Sequence, residues 1–299
     1  MNSIYEELVH QLSKDDTVIC AVSGGPDSMA LLSMLSQVRE EVPFCLVCAH
    51  VNHNVRKESD EEKEFVKTFC CNHHIIFEYM KIEHYGEDNF HNEARGKRYQ
   101  FFDELAKKYQ AKYVMTAHHG DDLLETILMR IVRGSTLHGY AGFSKQVQKE
   151  NYLILRPLIS VTRDEIMHYL NQNEIAYVTD SSNEKDVYTR NRYRKYIVPE
   201  LKKEESRVSE RFYKFSETLL EYHNYIQTII SEKKSKLLKE NKIIIPLFLK
   251  EEPLIQRQLL YVLLEDIYQD DFMIITERHV DLMLEVLSSS KPNQVLCLP

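Results

Sequence analysis

Between Val18 and Val132 the chain switches repeatedly between two hydrophobic periods, and that alternation restricts its fold more than any other feature. Short apolar runs at Val18–Val22, Phe44–Val51, Ile75–Met80 and Tyr113–Ala117 read as strands. Helical spacing follows each of them, at Met29–Val38, Glu58–Asn72, Asn92–Tyr109 and Asp121–Val132. Strands separated by helices pair in parallel through right-handed crossovers, so the expected fold is α/β, a doubly wound parallel sheet. Ligands of such sheets bind beyond the carboxyl ends of the strands. Ser23–Ser28, His50–His53 and His118–Asp122 all fall at that edge.

Leu153–Leu155 reads as a further strand, and Thr162–Asn171 as a helix capped by Thr162 with Glu165 three residues on. From about Glu200 strand signals fade and helical spacing dominates. The expected division is a catalytic domain over 1–203 and a smaller, mainly helical domain over 204–299. Ile243–Phe248, interrupted by Pro246, reads as a short extended piece; Leu254–Ile267 and Glu277–Ser288 read as helices. Gln294–Leu298 looks like the start of a strand with nothing after it to pair with.

The hydrophobic and charged fractions, 43% and 28%, are those of a soluble globular protein. No apolar run is long enough for a transmembrane helix. The acidic, amphipathic start lacks the basic and apolar regions of a signal peptide, so a cytoplasmic location is expected. Cys45 and Cys48 form a C-x-x-C, but side chains three apart on a strand face opposite ways, which argues against a metal or redox pair. The net charge of -8 requires any surface for nucleic acid to be local.

Three motifs carry the chemistry. In Ser23-Gly24-Gly25-Pro26-Asp27-Ser28 the two glycines let backbone amides approach a phosphate, and the following helix points its positive end at it. The segment is neither a Walker loop nor G-x-G-x-x-G. A tight turn capped by Asp27 or Ser28 is the alternative. The second motif is Ala49-His50-Val51-Asn52-His53-Asn54-Val55-Arg56, a strand end with polar loop residues. The third, Thr116 to Thr126, gathers His118, His119, Asp121, Asp122 and Glu125 at a helix start, followed by Arg130 and Arg133. Asp122 and Glu125 share a helix face. Complementing the helix dipole accounts for one such acid but not for the whole cluster, and a zinc site is an alternative. Arg190, Arg192, Arg194 and Lys195, interleaved with Tyr188, Tyr193 and Tyr196, suit RNA phosphates and unstacked bases, with a solvated helix face as the alternative.

The first motif resembles the pyrophosphate loop of the N-type ATP pyrophosphatases, the PP-loop superfamily with its Rossmann-like sheet. The second and third resemble segments of the tRNA(Ile)-lysidine synthetase family. Supporting matches are Arg95, Arg98 and Tyr99; Arg156-Pro157-Leu158 and Arg163; Asp180-Ser181-Ser182-Asn183; and Arg190-Asn191, Arg194 and Pro199. Asn52, Asn54, Val55, Gly120, Leu123 and Tyr193 depart from the commonest family residues. The resemblance spans Val18 to about Leu201.

It implies an ATP- and Mg2+-dependent ligase. The cytidine oxygen at C2 is a poor leaving group until AMP is transferred to it, after which the ε-amine of free L-lysine attacks C2. The implied partner is the isoleucine tRNA with a CAU anticodon, with no membrane involved and a homodimer left open. ATP is assigned to Ser23, Gly24, Gly25, Pro26, Asp27, Ser28, His50, Asn52 and His53. Asp27 is assigned to the metal, and Asp27, Arg98, Asp122 and Glu125 to catalysis. Asp122 and Glu125 are assigned to lysine, and Arg133, Arg190, Arg192 and Arg194 to tRNA. Arg98 and Arg133 are also placed near the α-phosphate, and the base that deprotonates lysine is left open among His118, His119 and the carboxylates. A tRNA 2-thiocytidine synthetase shares the loop but needs cysteines at its site; a silent nucleotide-binding module is a rival of another class. Many relatives carry a further C-terminal domain, and the chain is expected to be short of it.

Overall fold

A computed structural model describes residues 1–52, 59–82, 90–179, 186, 188–239, 242–268, 275–291 and 293–298. His53, most of the loop after it and the Asp180–Asn183 motif lie outside the described residues. Contacts divide the chain into Met1–Leu219 and Leu220–Pro299, whereas the fading strand signals put the division near Lys203.

The first unit opens with helix α1 (Asn2–Gln11) and strand β1 (Thr17–Val22), then α2 (Pro26–Glu41), β2 (Cys45–Asn52), α3 (Ser59–Asn72), β3 (Ile76–Lys81), α4 (Phe90–Tyr109) and β4 (Tyr113–Met115). Helices α5 (Gly120–Arg133) and α6 (Leu137–Tyr140) precede β5 (Gln146–Gln148) and β6 (Leu153–Leu155). A 3-10 turn (Pro157–Ser160), α7 (Arg163–Gln172), α8 (Thr189–Arg192), a π turn (Tyr193–Ile197), α9 (Val198–Glu204) and the start of α10 (Val208–Leu237) follow; the rest of α10 belongs to the second unit. The sheet order is β3-β2-β1-β4-β6-β5, parallel except for β5.

Strand alternation divides the core. Val18, Cys20 and Val22 pack against α1, α2, α3 and α7, while Ile19 packs with Phe101, Phe102 and Leu105 of α4 on the other face. Cys45 is exposed and Cys48 buried, as their spacing requires. The chain order reverses between β1 and β4, so the loops after these strands face each other at the switch point. Strand β5 was not foreseen because its polar sequence lacks an apolar run; it is an edge strand, where polar residues discourage further pairing.

In the second unit, Leu238–Lys239 and Lys242–Ile243 form a two-residue antiparallel ladder. The extended piece expected over Ile243–Phe248 is mostly a short helix, Ile245–Phe248. Pro246 cannot donate to a ladder but suits a first helical turn. Helices Pro253–Tyr268 and Glu277–Leu287 complete a core around Leu259, Leu260, Leu264 and Val280. Gln294–Leu298 forms no strand; Leu298 packs on that core while Val295 is exposed. No described helix is long and apolar enough to cross a membrane.

Gly142 fixes the turn into β5. Its φ is +78°, and an added Cβ would lie 2.6 Å from Leu123 Cδ1 and 3.1 Å from Ile127 Cγ1 on α5. Its carbonyl and that of Gly139 both accept hydrogen bonds from Arg130 Nη1 at 2.6 Å. Gly142→Ala combines a left-handed backbone penalty with overpacking. It should lower the unfolding free energy by about 2–3 kcal/mol, measured by urea denaturation.

Candidate active site

The loop after β1 is built from its own hydroxyls. Ser23 N donates to Ser28 Oγ at 3.2 Å, Gly25 N to Ser23 Oγ at 3.3 Å, and Ser28 Oγ to Gly25 O at 2.9 Å. Gly24, with φ +92°, turns the chain, and its carbonyl accepts Val178 N at 2.9 Å. Gly25 is the N-cap of α2 and Pro26 occupies its first turn; no side chain caps this helix, so neither Asp27 nor Ser28 serves as a cap. The amide end of α2 is thereby left to an external acceptor.

Ser23, Gly25, Asp27 and Ser28 form one wall of a cavity. Ala21, Ala49 and Val51 line it from the strands, Arg98, Tyr99 and Phe102 from α4, and Thr116, Ala117, His118 and Asp122 from the β4–α5 connection. Strand alternation sends the neighbouring His50 and Asn52 to the other face, outside this lining. His50 Nδ1 donates to Val22 O at 2.9 Å, which leaves Nε2 as an acceptor, buried and without a partner. Burial lowers the His50 pKa. Asn52 donates to Tyr79 Oη at 3.2 Å.

The four acids of the predicted set have separate environments. Asp27 Oδ1 is buried without a partner, and its Oδ2 lies 3.7 Å from His119 Nε2. Burial raises the Asp27 carboxyl, outweighing the pull of His119 and Arg163. His119 caps α5 through Nδ1, which accepts Asp122 N at 3.4 Å, while Asp122 Oδ2 accepts His119 N at 3.2 Å. The proton of neutral His119 therefore sits on Nε2, between Asp27 and Asp122. Asp121 belongs to the framework: it accepts Ser209 Oγ at 2.5 Å, Lys202 Nζ at 2.8 Å and Arg163 N at 3.1 Å.

Asp122 and Glu125 meet Arg190 and Arg194, which lie one helical turn apart where α8 passes into the π turn. Glu125, whose side chain is 0% exposed, accepts Arg190 Nε and Arg194 Nε at 2.8 Å each. Asp122 Oδ1 accepts Arg190 Nη2 at 3.2 Å and Arg194 Nη2 at 3.0 Å. Burial alone would raise the Asp122 carboxyl, but His119, Arg190, His118 and Arg194 hold it down at about 2. Two of the arginines expected to face RNA are thus tied to the two carboxylates expected to face lysine. Arg192, exposed, bonds the Asp186 carbonyl and Thr189, and Arg133 is exposed at the end of α5. The one legible sign of the ion cluster was spacing: Arg190 and Arg194 are four residues apart and Asp122 and Glu125 three, and either spacing puts a pair on one helix face. Tyr99, Phe102 and Thr116 escaped notice as cavity residues because nothing in their type marks them.

His118 donates or accepts at Thr116 Oγ1, 2.9 Å from its Nδ1. Burial first, then Arg156, Arg190 and Arg98, push its pKa down to about 4 against the pull of Asp122. The folded state therefore favours neutral His118, and its contribution to stability is present above the ordinary histidine value of about 6.5. That contribution should be lost as pH falls from about 6.5 to about 4. Thermal melts of wild type and His118→Gln across that window should converge toward the acid end; parallel curves would refute the burial of the ring.

The acids predict opposite stability effects. Asp27→Asn removes a charge whose burial is uncompensated and should leave the ligand-free protein as stable or more stable at neutral pH. Glu125→Gln leaves two guanidinium groups without their buried partner. It should cost about 2 kcal/mol, below the usual figure for buried pairs because Arg190 and Arg194 keep 42% and 29% exposure. Urea unfolding of both variants tests the contrast.

Residues 1–201 match the PP-loop domain family. The chain is 39% identical over 301 residues to the tRNA(Ile)-lysidine synthase of Bacillus anthracis, covering 96% of this chain and 63% of that protein. It is 35% identical to the tRNA(Ile)-lysidine synthase of Bacillus subtilis (strain 168), covering 97% of this chain and 64% of the relative. It is also 34% identical to the bifunctional protein TilS/HprT of Listeria monocytogenes serotype 4b (strain F2365), covering 99% and 47%. The chain spans less than two thirds of the length of these curated relatives. A solved U34-tRNA thiolase from Methanococcus maripaludis shares the fold, with a TM-score of 0.63 and 16% identity over 74% of this chain and 78% of its own. The family match takes in the entire six-stranded sheet and the glycine loop at its switch point, and the chain belongs to the PP-loop domain family.

Proposed function

We propose that this chain uses ATP to activate the wobble cytidine of the CAU-anticodon isoleucine tRNA and joins free lysine to its C2 through an adenylated intermediate, releasing pyrophosphate and AMP. The observation that carries the reading is the cavity itself: it holds a phosphate-type loop on one wall and a low-pKa carboxylate, Asp122, on the other. The names of the relatives supply the substrate class.

In this reading the open amide end of α2, with Gly24 and Gly25, takes the β- and γ-phosphates. The buried, unpartnered Asp27 Oδ1 fits a hard cation, and Mg2+ held there would neutralise phosphate charge. Arg98, a cavity residue whose pKa burial lowers, faces the α-phosphate. Asp122 is the carboxylate that lines the cavity and so meets the lysine ammonium, sharing its oxygens with Arg190, Arg194 and the His119 amide. Glu125 is saturated by two guanidinium groups, so lysine reaches it only by displacing Arg190 or Arg194; its first role is to position that pair. A lysine amine with a pKa of about 10.4 must lose a proton before attack, and His118 near 4 is a weak acceptor for it. His119 carries its proton on Nε2 and spends Nδ1 on capping α5, so it offers no free nitrogen for that proton.

A sulfur-transfer reading is disfavoured by the cysteines. Cys20 and Cys48 lie fully buried on the sheet face opposite Ala21 and Ala49, away from the cavity. The test is incubation with ATP, labelled lysine and the isoleucine tRNA. Label should enter the tRNA with release of pyrophosphate. Asp27→Ala should abolish pyrophosphate release, and Asp122→Asn should raise the lysine requirement at least tenfold while leaving adenylate formation closer to normal. Pyrophosphate release without lysine transfer by wild type would refute the ligase reading.

A further inference from the structure

A second group of cations lies beside the cavity, and the described residues give it no acid. Around Tyr99, the Arg95 and Arg98 guanidinium carbons lie 5.3 and 5.9 Å from the ring centre, and Lys149 Nζ lies 6.0 Å away. Arg156 lies over the Phe143 ring at 5.4 Å, donates to Ser144 O at 2.7 Å, and keeps a buried Nε without a partner although the residue is only 5% exposed. Among the described residues, Arg130 donates to the Gly139 and Gly142 carbonyls. Among the described residues, no carboxylate pairs with Arg95, Arg98, Arg130 or Arg156. Each of Arg98, Arg130 and Arg156 is destabilised in its charged form by burial first and by Arg95 as well.

Buried like charges need a counter-ion. The group starts at the cavity wall with Arg98 and Tyr99 and runs outward to exposed Arg95 and Lys149. A compact anion bound within the cavity accounts for Arg98 alone. A strand passing from solvent into the cavity accounts for all of them, with the aromatic rings among the cations. We infer that Arg95, Arg156 and Lys149, set around Tyr99, form together with Arg130 a phosphodiester site that grips the RNA strand next to the nucleotide entering the cavity. This rests on the tRNA reading proposed above.

The test compares wild type with Arg95→Gln, Arg156→Gln and the conservative Arg95→Lys and Arg156→Lys. Binding of the isoleucine tRNA, of a single-stranded oligoribonucleotide and of ATP is measured at several salt concentrations. Each Gln variant should weaken both RNAs about tenfold and reduce the salt slope by about 0.7, one phosphate contact, with ATP affinity kept within about twofold. The Lys variants should retain most of the slope. Thermal melts identify a misfolded variant, in which case the Arg95 pair, on an exposed residue, decides. Unchanged slopes in Arg95→Gln, or a loss confined to ATP, would overturn the assignment. Failure of lysine transfer by wild type with the oligoribonucleotide result intact would strike the ligase reading alone.

Discussion

Glu125 is a carboxylate without solvent contact, held by two guanidinium groups on one turn of chain. A charge so placed is tolerated only while its partners stay in register, and Arg190 and Arg194 can do so only if α8 and the π turn lie against α5. The same arginines reach Asp122 and keep it ionised at the cavity wall. One buried acid thus fixes the position of a segment and the charge state of its neighbour.

The other acids show how one short stretch of sequence divides its tasks. Asp121 is spent on Ser209, Lys202 and the Arg163 amide, and so joins α5 to the elements after the sheet. Asp27, alone in lacking a partner for a buried oxygen, is destabilised as a carboxylate until something positive arrives. Composition cannot distinguish these roles. What separates them is the direction in which each residue leaves its helix and which later element meets it there.

That distinction also marks how far the sequence was legible. Strands β1, β2, β3, β4 and β6 were visible because each is an apolar run bounded by polar residues, and their helices because the period changes. Strand β5 was not, since Gln146-Val147-Gln148 carries no apolar run and its pairing depends on β6. The Ile245–Phe248 turn was misread because the short apolar run Ile243–Phe248, with Pro246 inside it, fits an extended piece as well as a helix. At the site, Ser23, Gly25, Asp27, Ser28 and Asp122 were readable from residue type and place, and Arg98 only from the family resemblance; the structure brings them to one cavity. The arginines at 190 and 194 were read as surface cations because their partners, 65 to 72 residues earlier, become neighbours only through the fold.

The geometry of Gly24 has a consequence for nucleotide recognition. Its left-handed backbone is held from one side by the Val178 amide and from the other by Val66 of α3, whose Cγ2 would lie 3.3 Å from an added Cβ. The glycine loop is therefore shaped by packing and hydrogen bonding within the protein, without any ligand. The entropy of ordering it is settled during folding, so binding energy is free for the reacting groups instead of for closing the loop. A preformed cradle also ties affinity to the core: trimming Val66, buried in α3 and outside the cavity lining, would loosen the loop and weaken nucleotide binding from behind.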